Sequence, residues 1–178
     1  PISEGYHVFV YSIANFPVFR CAEQFRNDVD YHNLNVTVVS VGGGVSYGSL
    51  GYSHHAIQDY SLMRSMPNTL ILAPGDPNEV ELIINKIIDS PSPSYLRLGK
   101  SGESNIGNKL NELNNIVLPI RQTGSKKLIL STGNTKKIAA EFGMADKLHM
   151  DYDFYSIPIW GMKLKEEILD FFKWQFFK

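Results

Sequence analysis

Two adjacent imidazoles, His54 and His55, follow a loop of small and tyrosyl residues, Gly48-Ser49-Leu50-Gly51-Tyr52-Ser53. An imidazole titrates near neutral pH, so it can shuttle a proton or hydrogen-bond a developing alkoxide. Upstream, Asn15, Phe16 and Phe19 share one short stretch, and rings three residues apart at a helix start can face one side. Downstream, Asp76 follows one apolar run, and Arg97 and Lys100 close another. Rings, imidazoles and cations gathered on one rim suit a flat heterocycle together with an anionic substrate. Plainer roles stand beside these. A pair of Phe residues commonly serves a core, either histidine could open a helix and face solvent, and Arg97 could be a surface arginine at a strand end. Asp59, a turn beyond the histidines, could orient an imidazole, or cap or pair locally.

The elements that must carry these residues follow from periodicity. Tyr6 to Tyr11 reads as a first strand, and Val18, Phe19, Ala22, Phe25 and Val29 then recur at helical spacing to about Tyr31. Val36 to Val41 is nearly all apolar, as expected of a strand covered on both faces. His54 to Met66 is expected as a helix stopped by Pro67, followed by a strand over Thr69 to Ala73. Asp76-Pro77-Asn78-Glu79 is a capping signature for a helix that runs to Asp89 and ends at Ser90-Pro91-Ser92-Pro93. Ser94 to Leu98 is a fourth strand. Strands alternating with helices predict an α/β fold: a parallel-sheet, three-layer domain over residues 1–100. In such sheets ligands bind beyond the carboxyl ends of the strands, where the loops bearing Asn15, His54, Asp76 and Arg97 all emerge. Residues 101–126 are polar and rich in Asn, Gly and Ser, and read as a linker. Leu128 to Ser131, a helix near Asn134 to Lys147, a strand near Phe154 to Ile157 and a helix from Lys163 make residues 127–178 a smaller, truncated α/β domain. The opening Pro1-Ile2-Ser3-Glu4-Gly5 reads as a cut through a larger protein.

Composition narrows the class. The 178 residues are 43% hydrophobic, enough for a real core, and carry a net charge of −1 with both signs mixed. That balance argues against nucleic-acid or polybasic membrane partners, and no apolar run approaches the roughly 18 residues of a membrane span. The five histidines are too scattered for a metal cluster. The single cysteine, Cys21, reads as a small buried residue and suits a reducing cytoplasm.

The Asn15-Phe16-Pro17-Val18-Phe19-Arg20 run, the stretch Gly48 to Glu79 and Tyr95-Leu96-Arg97-Leu98-Gly99-Lys100 together resemble the pyrimidine-binding domain of the transketolase family. The resemblance is close over about residues 5–100 and looser beyond. It implies a C-terminal section that uses thiamine diphosphate to transfer a two-carbon ketol unit between a ketose and an aldose. By the same resemblance Phe16 and Phe19 stack on the aminopyrimidine ring, beside Asn15 and with Ile13 where the family often has a third aromatic. His54 reaches the cofactor and the bound intermediate, His55 lies on the substrate side, and Arg97 contacts a sugar phosphate. Pro1-Ile2-Ser3-Glu4 is similar to the family motif whose glutamate activates the cofactor, so Glu4 is the candidate for that role; the other reading is a surface glutamate before a turn.

Two departures from the family pattern stand out. The His-Asp dipeptide that reads sugar hydroxyls near Gly42-Gly43, and an acidic residue near Leu50, are absent, which questions the ordinary pentose phosphates. No Gly-Asp-Gly segment followed by Asn is present. By the resemblance, the diphosphate and Mg2+ are expected on the transketolase N-terminal section, supplied by a partner chain or a missing segment, in a homodimer or heterotetramer. The alternatives are a 2-oxoacid dehydrogenase β-type component, a deoxyxylulose-phosphate synthase relative, or a non-catalytic assembly subunit.

Overall fold

The computed structural model describes residues 4–107, 113, 115–144 and 151–176. Strand β1 (Val8–Ile13) leads through α1 (Asn15–Arg20), α2 (Ala22–Gln24) and a π-helical turn (Phe25–Asp30) into β2 (Val36–Val41). Next come α3 (Asp59–Arg64), β3 (Leu70–Leu72), α4 (Pro77–Asp89) and β4 (Ser94–Leu98). The remainder holds β5 (Leu118–Arg121), β6 (Leu128–Ser131), α5 (Thr135–Met144), β7 (Asp153–Ser156), β8 (Ile159–Trp160) and α6 (Lys165–Phe176). The first sheet has the order β1-β2-β4-β3-β8, parallel except for β8, and the second has the order β5-β7-β6.

Side chains alternate across a strand, and the first sheet uses both faces. Ile71 and Tyr95 face one core with Val18, Phe25, Val38 and Met63. Their neighbours Leu72 and Leu96 face the other, with Ile83 and Ile87 of α4 and Ile159 of β8. Helix α4 begins as its sequence requires: Asp76 Oδ1 accepts from the Glu79 amide at 3.0 Å, Pro77 occupies the first turn, and Glu79 Oε2 accepts from the Gly75 amide at 2.7 Å.

Several expectations are corrected. β1 lies two residues later than Tyr6 to Tyr11, because its ladder with β2 runs from Val8↔Val36 to Ile13↔Val41. The helix expected over His54 to Met66 is confined to Asp59–Arg64. Ahead of it are two 3-10 turns, Gly48–Leu50 and Tyr52–His54, then an extended His55 and a bridge between Gly44 and Ala56. Gly51, at φ 76°, permits the reversal between those turns. Cys21 is exposed, since it occupies the break between α1 and α2 rather than a buried helix face. The stretch read as linker contains β5, paired antiparallel to β7. β8, unforeseen, carries the C-terminal unit back onto β3. The expected extension of α5 to Lys147 lies outside the described residues.

Candidate functional site

The carboxyl ends of β1, β2 and β4 deliver the loops that form the rim. At β1 the chain turns directly into α1, which places Asn15 and Phe16 on its first turn. The Phe16 ring meets the His54 ring edge-on, with centroids 5.2 Å apart and planes at 69°. Phe16 is half-buried, and the Arg20 guanidinium lies 4.6 Å from its ring centroid. Asn15 Nδ2 donates to the carbonyl of Ser53 at 2.9 Å, which determines which end of the amide is nitrogen. Its Oδ1 is buried with no hydrogen-bond partner.

His54 closes a 3-10 turn. Its Nδ1 is 3.0 Å from Ser53 Oγ, and the Tyr47 ring stands edge-on at 6.1 Å. Among the described residues no hydrogen-bond partner is found for Nε2, which is therefore the nitrogen available to a ligand. His55 is committed to its own loop: its Nε2 lies 3.0 Å from the carbonyl of Gly48. Tyr47, which sequence reasoning passed over, backs His54 and carries Lys100 at 4.8 Å from its ring centroid. The glycine run was its signal, since at Gly42 a Cβ would fall 2.2 Å from the Tyr47 ring.

Arg97 does not reach into open solvent. Its Nη2 donates to the carbonyl of Ala56 at 2.7 Å, its Nε is 3.1 Å from Asp59 Oδ2, and its guanidinium covers the Tyr60 ring at 4.1 Å. Asp59 is fully buried and also accepts from the Tyr95 hydroxyl at 2.7 Å. Burial, followed by the Asp59 charge, pushes the Tyr95 phenol far above its ordinary range, so that hydroxyl keeps its proton and remains a donor. Asp59 thus pairs with Arg97 and Tyr95 rather than with an imidazole.

Of the residues singled out from sequence, Asn15, Phe16 and His54 come together. Ile13 ends β1 beside them, paired with Val41. Phe19 is half-exposed and makes no ring contact with His54 among the described residues. Glu4 is not brought to the rim. It is exposed and precedes the amino end of β1, whereas the rim lies past the carboxyl end, about 20 Å away for six residues of strand.

The family described as the transketolase pyrimidine-binding domain matches residues 2–102. One subunit of the apulose-4-phosphate transketolase of Phocaeicola vulgatus is 37% identical over 97 residues, 54% of this chain and 31% of that protein. The like-named subunit from Actinobacillus succinogenes is 35% identical over 122 residues, 68% of this chain and 39% of that protein. The chain thus spans between about 31% and 39% of the length of these curated relatives. A solved split-gene transketolase, described as an inactive beta4 tetramer, superimposes with a TM-score of 0.75 at 26% identity, over 88% of this chain and 51% of that one.

Proposed function

The chain belongs to the transketolase pyrimidine-binding domain family, and on that premise we propose that it is the C-terminal section of a thiamine diphosphate-dependent transketolase. The observation that carries this reading is the meeting of His54 with Phe16 beside the unpartnered, buried Oδ1 of Asn15. A half-buried ring and an unused acceptor suit a flat heterocycle bearing an amino group, as the aminopyrimidine of thiamine diphosphate does. When bound, that cofactor supplies the electron sink for cleaving the carbon–carbon bond beside a ketose carbonyl.

The roles of this chain are binding, orientation and proton movement. Phe16 packs against the heterocycle and excludes water from it, with Ile13 beside it. Asn15 Oδ1 accepts a hydrogen bond from it. His54 Nε2 moves a proton to and from the substrate oxygen as the carbonyl becomes a hydroxyl and returns, while Ser53 Oγ holds Nδ1. Among the described residues no trio of His, Cys, Asp or Glu is placed to hold a metal ion. Mg2+ and the diphosphate are assigned to a diphosphate-binding N-terminal section, on a partner chain or a contiguous segment, because this sequence carries no Gly-Asp-Gly segment followed by Asn. The naming of both relatives as subunits and the beta4 description of the split-gene structure support such an assembly.

The test is to mix this chain with the diphosphate-binding section from the same genome, thiamine diphosphate and Mg2+. Apulose 4-phosphate, the sugar named in both relatives, is the first donor to try, with an aldose phosphate as acceptor. Ketol transfer by the mixture, and none by either chain alone, supports the proposal. A mixture that binds the cofactor but transfers no ketol unit from any sugar phosphate overturns it in favour of an assembly subunit.

A further inference from the structure

The loop from Gly42 to Gln58 leaves β2 and returns at α3, and its two limbs are joined by a reciprocal pair. The Gly44 amide donates to the Ala56 carbonyl at 2.9 Å, and the Ala56 amide to the Gly44 carbonyl at 2.8 Å. Arg97, on β4 and in register with Ser40 of β2, touches both limbs. On one side its side chain lies so close to Gly43 that a Cβ there would fall 1.8 Å from Nε. On the other, Nη2 donates to the same Ala56 carbonyl that closes the limbs. Asp59, the first residue of α3, lies against Nε and is itself held by the Tyr95 hydroxyl. His54 sits between two anchored carbonyls, Ser53 tied to Asn15 and Ala56 tied to Arg97.

We propose that Arg97, braced by Asp59, is a positioning residue that clamps the His54 loop, rather than a ligand of the substrate phosphate. The inference rests on the reading of His54 as the proton-moving group. Two observations favour a clamp over an anion contact. The charge of Arg97 is already met by a fully buried carboxylate, and its remaining neighbours, Ala56 and Tyr60, belong to the framework. Asp59 and the Ala56 carbonyl already engage Nε and Nη2, and drawing the guanidinium away from Asp59 would leave a buried carboxylate whose Oδ1 has no hydrogen-bond partner.

The test uses the full chain with three substitutions: Arg97→Ala, Arg97→Lys, which keeps the charge but loses the fork, and Gly43→Ala, which displaces the guanidinium without removing it. Amide exchange at Gly44 and Ala56, and the ring resonances of His54 (assigned with His54→Gln), are followed alongside circular dichroism. A clamp predicts that all folded variants move the His54 resonances and speed exchange at those amides by about tenfold or more, as loss of a charged hydrogen bond would. Within the active mixture, kcat then falls while KM for the sugar phosphate changes less than about threefold. If Arg97→Ala does not fold, Arg97→Lys and Gly43→Ala decide the matter. Unmoved resonances and unchanged exchange in folded variants overturn the clamp, as does a rise in KM with kcat preserved, which would mark a phosphate contact. Exchange and resonances need no catalysis. An inactive wild-type mixture would therefore sink the proposed function while the clamp is still judged on these measurements.

Discussion

The ammonium of Lys136 lies 2.6 Å from Asp76 Oδ2, although sixty residues separate the two in sequence. Glu79 Oε1 accepts from the same Nζ at 2.7 Å, and all three side chains are buried. Asp76 caps α4 and also accepts from the Ile106 amide, so one cluster joins the rim of the first sheet to α5 of the C-terminal unit. Taking one partner from such a set leaves uncompensated charge in the interior. Lys136→Met should therefore cost roughly 3–5 kcal/mol, read as a fall in urea midpoint at an unchanged slope. A loss under about 1 kcal/mol would show that water reaches the cluster.

Replacement of His54 by Gln keeps size and one hydrogen bond but removes the nitrogen proposed to move the proton. In the reconstituted mixture kcat should drop by about 10²–10⁴, with thiamine diphosphate affinity changed little. Activity within a factor of about two of wild type would remove His54 from proton transfer.

Phe16 is half-buried and stands outside both core clusters, so its truncation tests binding more than folding. Phe16→Ala is expected to weaken cofactor binding by about tenfold, measured by titration of intrinsic fluorescence in the mixture. Its cost to the melting equilibrium should stay below about 1 kcal/mol. A large loss of stability without change in affinity would return Phe16 to a packing role.

His7 marks the opposite end of the sheet. Its Nε2 is 2.7 Å from Thr37 Oγ1, which in turn contacts Ser94 Oγ at 2.6 Å, and its Nδ1 is buried without a partner. Burial lowers its pKa from 6.5, because imidazolium is poorly solvated there. The unfolded chain then takes up the proton first, so stability is complete above that ordinary value and declines as pH falls through it towards the folded pKa. Melting temperatures across pH 8 to 5 should fall on the acid side in the wild type and fall less steeply in His7→Gln. Parallel curves would exclude His7 as the source.

Asp153 is the acidic counterpart. Its Oδ1 accepts from the amides of Thr123 and Gly124, at 2.6 and 3.1 Å, and from the Thr123 hydroxyl. The Thr123 amide, more than any other group, holds its carboxyl below the usual range. The stability it adds is thus present above the ordinary carboxylate pKa and is lost as pH falls through the lowered folded value. Asp153→Ala should destabilise the chain at pH 7 by about 2 kcal/mol, and the gap to wild type should narrow as pH falls below the ordinary carboxylate range. A gap that persists in acid would assign the effect to packing.

The sequence alone determined what local rules can specify. The β-branched run Val36 to Val41 and the Ser94 to Leu98 run are strands with the bounds expected, and Asp76-Pro77-Asn78-Glu79 starts α4 where a capping box must. These depend on alternation, propensity and hydrogen bonds across three or four residues, all readable along the chain. The same rules placed Asn15, Phe16 and His54 on loops that leave one end of a parallel sheet. Tertiary structure decided the rest. Helical periodicity across His54 to Met66 yields to the Gly44–Ala56 pairing and the positive φ of Gly51, because Arg97 and Asn15 hold the loop from distant elements. Arg97 and Asp59 face each other, Lys136 finds Asp76 and Glu79, and β8 returns to β3, each across long stretches of chain. Such partners are chosen by burial, where a charge must find its opposite or stay in water, and nothing in the spacing along the chain encodes that choice.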